Sequence, residues 1–346
     1  RDLLAHEYTH SWNGKYRRPA DMWAPDFNTP QRGSLLWVYE GQTQYWGNVL
    51  AARSGRVTKE QGFEALALMA ATYDNQSGRL WRPLEDTTND PVIAQRAPLS
   101  WRDWQRSEDY YVEGQLMWLD ADTLIRKLSN GQHSLDDFAK LFFGTNDGSF
   151  ITSTYRFEDV VTALNTVQPY DWAKFLHDRL DAVQPHAPLD GLLNGGYKLV
   201  YTAQPTSFIK AMQAARHTTD LTFSLGVAVN AHGTMGRVHW MGPAFKAGIT
   251  SGETILAIND MAFSPERLIH AVTDAQKDPK QTIRLIVKSG EHVQTITIPY
   301  HDGLRYPHLE RIAGTPDRLS EIYTLRKEGG ILRAARLAAL RILPLP

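Results

Sequence analysis

Near the start of the chain, His6, Glu7 and His10 stand in the order His-Glu-x-x-His within "LLAHEYTHSW". On an α-helix, residues four apart lie on one face a turn apart, so His6 and His10 can present two imidazoles to one ion, with Glu7 beside it. Zinc suits that chemistry: it accepts imidazole and carboxylate, prefers four ligands, and three protein ligands leave one position for water. The ion lowers the pKa of such a water towards about 7 and polarises a carbonyl, while an adjacent carboxylate takes the proton. Glu7 is placed for that role. The chain has no cysteine, so any transition metal must be held by His, Asp or Glu. For the third ligand the best candidate is Glu40 in "WVYEGQTQYW". It is either a solvated helix carboxylate or the completing ligand, and an unpaired charge amid Trp37, Val38 and Tyr39 would be costly, which favours a cation partner.

The elements that must position these residues are helices. After the opening one, Pro19, Pro25 and Pro30 mark a loop, and Ser34 is in place to cap a helix through "LLWVYEGQTQYWGNVLAAR". Thr58 with Gln61, and Ser134 with Asp137, form capping-box patterns ahead of "GFEALALMAATY" and "FAKLFF". Between them "YYVEGQLMWLDADTLIRKL" carries apolar residues at helical spacing and stops at Ser129-Asn130-Gly131. From about residue 195 glycines cluster and short β-type runs follow, "LTFSLGVAVN", "GRVHWM", "ETILAIND", "TIRLIVK" and "VQTITIPY". One helix interrupts them at "SPERLIHAVTDAQKD", with Ser264 as N-cap and Pro265 at the first helical position.

At 346 residues, 42% hydrophobic and 22% charged, the chain can bury real cores in more than one domain. A net charge of −1 gives no long-range field for nucleic acid or an anionic membrane. No apolar run approaches the roughly 20 residues of a membrane-spanning helix. The chain does not open on Met and its first candidate ligand comes after five residues, so an upstream segment is expected. The C-terminal "ILRAARLAALRILPLP" reads as a short basic amphipathic packing helix or an extension, with no function assigned.

"HEYTHSWNGKYRRPA" followed by "YEGQTQYW" resembles the M61 glycyl aminopeptidase family, gluzincin zinc peptidases related to thermolysin-like enzymes. The resemblance continues through "YYVEGQLMWLDADTLIRKLSNGQHSLDDF" to "YHDGLRYPHLERIAGTPD". It implies one Zn2+ per chain held by His6, His10 and Glu40, with Glu7 as general base. It also implies an oxyanion-stabilising tyrosine at Tyr111 in "YVEG", with Tyr110 as its neighbouring alternative. Two positions depart from the family pattern, Thr9 for an aromatic residue and Glu113 for a lysine; neither is a ligand position. Gln44 is a candidate to steady a ligand, and Arg17 and Arg18 are candidates to bind a substrate carboxylate, against the plainer reading of surface side chains.

The second half looks like a PDZ domain, on "FSLGVAV" and "GPAFKAGITSGETILAINDMAF". That likeness implies that the amides of Ser224, Leu225, Gly226 and Val227 capture a peptide C-terminus while the peptide adds as a strand. The alternative is a domain that only packs on the first. The fold expected is therefore α+β and multidomain: a mostly helical thermolysin-like (gluzincin) catalytic domain over 1–195, a β-rich PDZ domain over 205–300, and a tail over 301–346. The function expected is a zinc aminopeptidase acting on peptides with a small first residue, glycine or alanine. An endopeptidase of the same chemistry, or a non-catalytic PDZ adaptor with a vestigial metal site, are the alternatives. The resemblance favours a soluble bacterial protein, periplasmic before cytoplasmic, with peptides as partners.

Overall fold

The computed structural model describes residues 2–90 and 101–326, so the basic stretch at 331–346 lies outside the described residues. Apolar side chains gather in two separate cores, one built from residues 35–199 with 319–323 and one from residues 209–306.

The first core is helical. The helices of this part of the chain are α1 (Leu3–Thr9), α2 (Leu36–Tyr39), α3 (Gly41–Arg53), α4 (Lys59–Asp74), α5 (Arg102–Gln105), α6 (Val112–Leu128), α7 (Leu135–Phe143), α8 (Phe157–Val167), α9 (Trp172–Leu180) and α10 (Asp190–Asn194), and all but α1 and α5 supply side chains to the core. The capping boxes at Thr58 and Ser134 form as read, each with its reciprocal side-chain and backbone bonds. Helix α6 is buried on almost every side and runs through the middle of this unit. Its polar side chains are satisfied inside: Asp122 accepts from Tyr45 Oη at 2.6 Å and from the Leu135 amide at 2.7 Å. The single helix expected over 35–53 resolves into α2 and α3, which meet at Glu40. There the Glu40 amide still donates to Leu36 O and its carbonyl still accepts from the Gln44 amide, each at 2.7 Å. Ser34 does not cap α2; its hydroxyl donates to Asp21 Oδ2 at 3.2 Å.

A short parallel pair, β1 (Arg17–Pro19) with β2 (Ser153–Tyr155), fastens the segment after α1 to the segment between α7 and α8. The second core packs α11 (Ser207–Arg216), α12 (Pro243–Lys246) and α13 (Pro265–Lys277) against two antiparallel sheets. One sheet has the order β4 (Thr218–Leu221), β5 (Val227–Asn230), β6 (Met235–Val238). The other runs β10 (His292–Ile298), β9 (Ile283–Ser289), β7 (Thr254–Ile258), β8 (Met261–Ala262). Ser264 caps α13 by accepting from the Arg267 amide, with Pro265 opening the helix as expected.

The tail expected from residue 301 is instead part of the fold as far as it is described. Strand β11 (Tyr306–Arg311) pairs antiparallel with β3 (Tyr197–Thr202), and α14 (Arg318–Tyr323) buries Leu319, Ile322 and Tyr323 in the first core. The second unit is thus an excursion between two paired strands. The units also touch through aromatic rings: Trp101 and Trp104 lie against Trp240, and Asp103 accepts from the Trp240 amide at 2.6 Å and pairs with His239 at 3.0 Å.

Candidate functional site

The histidines of α1 share one helix face, and α3 lies across that face. Gly47 allows the approach, since a Cβ there would come within 3.0 Å of His6 Cβ and 3.2 Å of His6 Cα. The result is a triangle of atoms that could hold a metal ion. His6 Nε2 and His10 Nε2 are 3.2 Å apart, and each lies 3.3 Å from Glu40 Oε2. A tetrahedral ion with bonds of about 2.0–2.1 Å requires ligand-to-ligand edges of about 3.3–3.4 Å, so the triangle fits one face of such a site. His6 and Glu40 are only 7% and 8% exposed, and Glu40 Oε2 is a buried oxygen with no hydrogen-bond donor aimed at it. An orphaned carboxylate oxygen equidistant from two imidazole nitrogens fits a cation at their common centre.

The ring orientation is set from behind. His10 Nδ1–H donates to Asn13 O at 2.9 Å, which leaves the Nε2 lone pair facing the triangle. Asn13 itself is fully buried; its amide donates to Val38 O at 2.8 Å and to Thr43 Oγ1 at 3.2 Å, and its side-chain oxygen accepts from Tyr155 Oη at 3.1 Å. It therefore ties the end of α1 to the α2–α3 junction that carries Glu40. Nothing in the sequence reading singled Asn13 out, since an Asn-Gly pair reads as a turn; its interior role depends on partners 25 and more residues away. Burial acts first on both titrating ligands and is outweighed in each. The imidazoles of His10 and His6 hold the Glu40 carboxyl below its ordinary range, and Glu40 with the Asn13 carbonyl raises His10.

Glu7 is exposed beside the triangle, and its charge reaches His10 and Tyr39, whose ring stacks on His10 at 4.8 Å. Tyr111 stands at the N-terminus of α6, with its ring 6.1 Å from that of His6 and inclined by 28°. Burial, then the charge of Glu40, pushes its hydroxyl well above the usual phenol range. Tyr110, the alternative, is buried at 3% exposure in the first core.

A close glycine crossing joins the start of α6 to the α2–α3 junction. Gly41, next to Glu40, meets Gly114, in the first turn of α6: a Cβ on either would come within 3.0 Å of the other's Cα. Gln44 does not support a ligand; its amide donates to Asp2 Oδ2 at 3.4 Å. Arg17 is buried, donating to Phe142 O at 3.1 Å and lying over the Phe142 ring, so its guanidinium is not available to a substrate carboxylate. Arg18 Nε donates to Gly14 O at 2.8 Å.

The loop of the second unit is arranged differently from the expectation. The amides of Ser224 and Gly226 both donate to Leu221 O at 3.0 Å, and Leu225 and Val227 are buried in the second core. Both edges of strand β5 are already paired within the chain, by β4 and by β6. Gly226 has φ +79°, a conformation that suits glycine, in a loop closed on itself.

The fold is similar to that of a crystal structure of the aminopeptidase N family protein from Idiomarina loihiensis, at a TM-score of 0.71 and 18% identity, covering 93% of this chain and 54% of that one. The present chain thus spans about half the length of that relative. Residues 1–117, the segment that carries His6, Glu7, His10, Glu40 and Tyr111, match the family model of M61 glycyl aminopeptidase. No curated protein matches the sequence significantly.

Proposed function

We propose that this chain carries the catalytic unit of a zinc-dependent aminopeptidase, with His6, His10 and Glu40 as the metal ligands. The observation that carries the reading is the triangle of His6 Nε2, His10 Nε2 and Glu40 Oε2, with edges of 3.2–3.3 Å and an orphaned carboxylate oxygen. Zinc bound there supplies an acidified water and a polarised scissile carbonyl. Glu7 takes the proton of the attacking water and returns it to the leaving amine. The Tyr111 hydroxyl, kept protonated by burial and by Glu40, donates to the carbonyl oxygen as negative charge builds on it. The choice of exopeptidase, the preference for a first glycine or alanine, and the thermolysin-like description of the helical unit rest on family likeness. The second unit is read as PDZ-like on its sequence pattern.

The test is zinc content of the metal-free-purified chain and of Glu40→Ala, followed by hydrolysis of Gly- and Ala-initiated peptides by the full-length protein. Near one zinc per chain, sharply reduced in the variant, and cleavage only of peptides with a free amino terminus are expected. A folded chain without zinc affinity would overturn the metal assignment. Equal cleavage of N-acetylated peptides would replace the aminopeptidase by an endopeptidase of the same chemistry.

A further inference from the structure

Tyr111 and Glu113 are two positions apart at the start of α6, so they do not share a helix face. Tyr111 looks into the site, and Glu113 looks away from it into a fully buried cluster of charge. Glu113 pairs with Arg79 and accepts from Arg106 Nη2 at 2.5 Å, and Arg106 Nε is 2.7 Å from Asp109 Oδ2. All four side chains are at most 2% exposed. Two guanidiniums thus balance two carboxylates in the interior. Arg106 is fixed further by reciprocal bonds with Arg82, each guanidinium donating to the other's carbonyl at 2.6 Å. The segment leading to Tyr111 is held in an uncommon backbone form, with Arg106 at φ +52° and Glu108 at φ +59°. A buried ion network of this kind adds little stability over an apolar core of the same volume, whereas it does select one geometry.

We infer that Glu113, held by Arg79 and Arg106, is a positioning residue that fixes the first turn of α6 and so holds the Tyr111 ring beside His6. The inference rests on the proposed role of Tyr111. The glycine crossing of Gly41 and Gly114 sets how closely α3 and α6 approach; the arginine pair sets how the start of α6 is turned about its axis. None of the four charged residues is bonded to His6, His10 or Glu40 in the hydrogen bonds and ion pairs described, so the cluster reaches the site through the backbone of the first turn of α6, which follows Tyr111.

The test uses the full-length protein with Arg106→Lys, Glu113→Gln, Tyr111→Phe and the double variant Arg106→Lys/Tyr111→Phe. Arg106→Lys keeps the buried charge and loses only the fork, so it serves if Glu113→Gln does not fold. It is expected to lower kcat about tenfold, with KM and zinc content unchanged, and to cost nothing further on the Tyr111→Phe background. A 19F resonance from 3-fluorotyrosine at position 111 is expected to shift in Arg106→Lys, independently of turnover. Additive losses in the double variant, or an unmoved resonance with unchanged kcat, would overturn the positioning role. If Tyr111→Phe alone leaves kcat unchanged, the role of Tyr111 itself fails, a result that the resonance separates from loss of positioning.

Discussion

His6, Glu7, His10 and Glu40 are legible in the sequence because their spacing and surroundings are local: two histidines on one helix face, and one carboxylate in an apolar run. Asn13 is not, because its side-chain bonds, to Val38 O, Tyr39 O, Thr43 Oγ1 and Tyr155 Oη, reach elements far along the chain. Two expectations follow at this scale. Glu7→Gln should retain zinc and lose turnover by about a hundred- to ten-thousand-fold, read by steady-state kinetics beside metal analysis; a variant that keeps its kcat would exclude Glu7 as the base. Asn13→Ala should cost about 1–3 kcal/mol in urea unfolding, because it strips the donor from the buried Val38 carbonyl and leaves Tyr155 without its acceptor. Unchanged stability would show that these bonds are replaced by others.

At the level of elements, caps and helix spacing are visible before any coordinates: Thr58, Ser134 and Ser264 each do what their local pattern predicts. The break at Glu40 and the return of β11 and α14 to the first unit are not visible, since each is decided by a distant partner. The pairing of the two Glu-Gly dipeptides is the clearest case. In each the glycine makes the crossing, while Glu40 turns to the ligand triangle and Glu113 to the arginines. Gly114→Ala should destabilise the fold by about 1–3 kcal/mol, and Gly41→Ala by more, since its new methyl would meet Tyr110 O at 2.6 Å as well as Gly114 Cα at 3.0 Å. Thermal unfolding of the two variants ranks them, and the reverse order would argue against so close a crossing.

Across the whole molecule, one carboxylate fastens the end of the described chain to the helical unit. Asp136 on α7 is 2.6 Å from Arg53 on α3 and 2.7 Å from Arg326. Burial alone would raise its pKa, but Arg53 and then Arg326 hold it below the ordinary 3.8. A folded value below the unfolded one means that the stabilisation is complete above the ordinary value and disappears as pH falls through the folded one. Melting temperature should therefore drop below about pH 4, and Asp136→Asn should be less stable at neutral pH with a shallower acid limb. An identical acid limb in the variant would assign acid sensitivity to other groups.

The antiparallel pairing that places Thr202 opposite Tyr306 also orders events in time during synthesis. A ribosome makes residues 203–305 before Leu319, Ile322 and Tyr323, so the first core waits for its last side chains until the whole excursion has emerged. An excursion that folds early brings its own two ends together, and the growing chain then closes a short loop in place of a long one. A chain truncated just before Leu319 and released from the ribosome should display a structured second unit hanging from a helical unit that is still open to proteases.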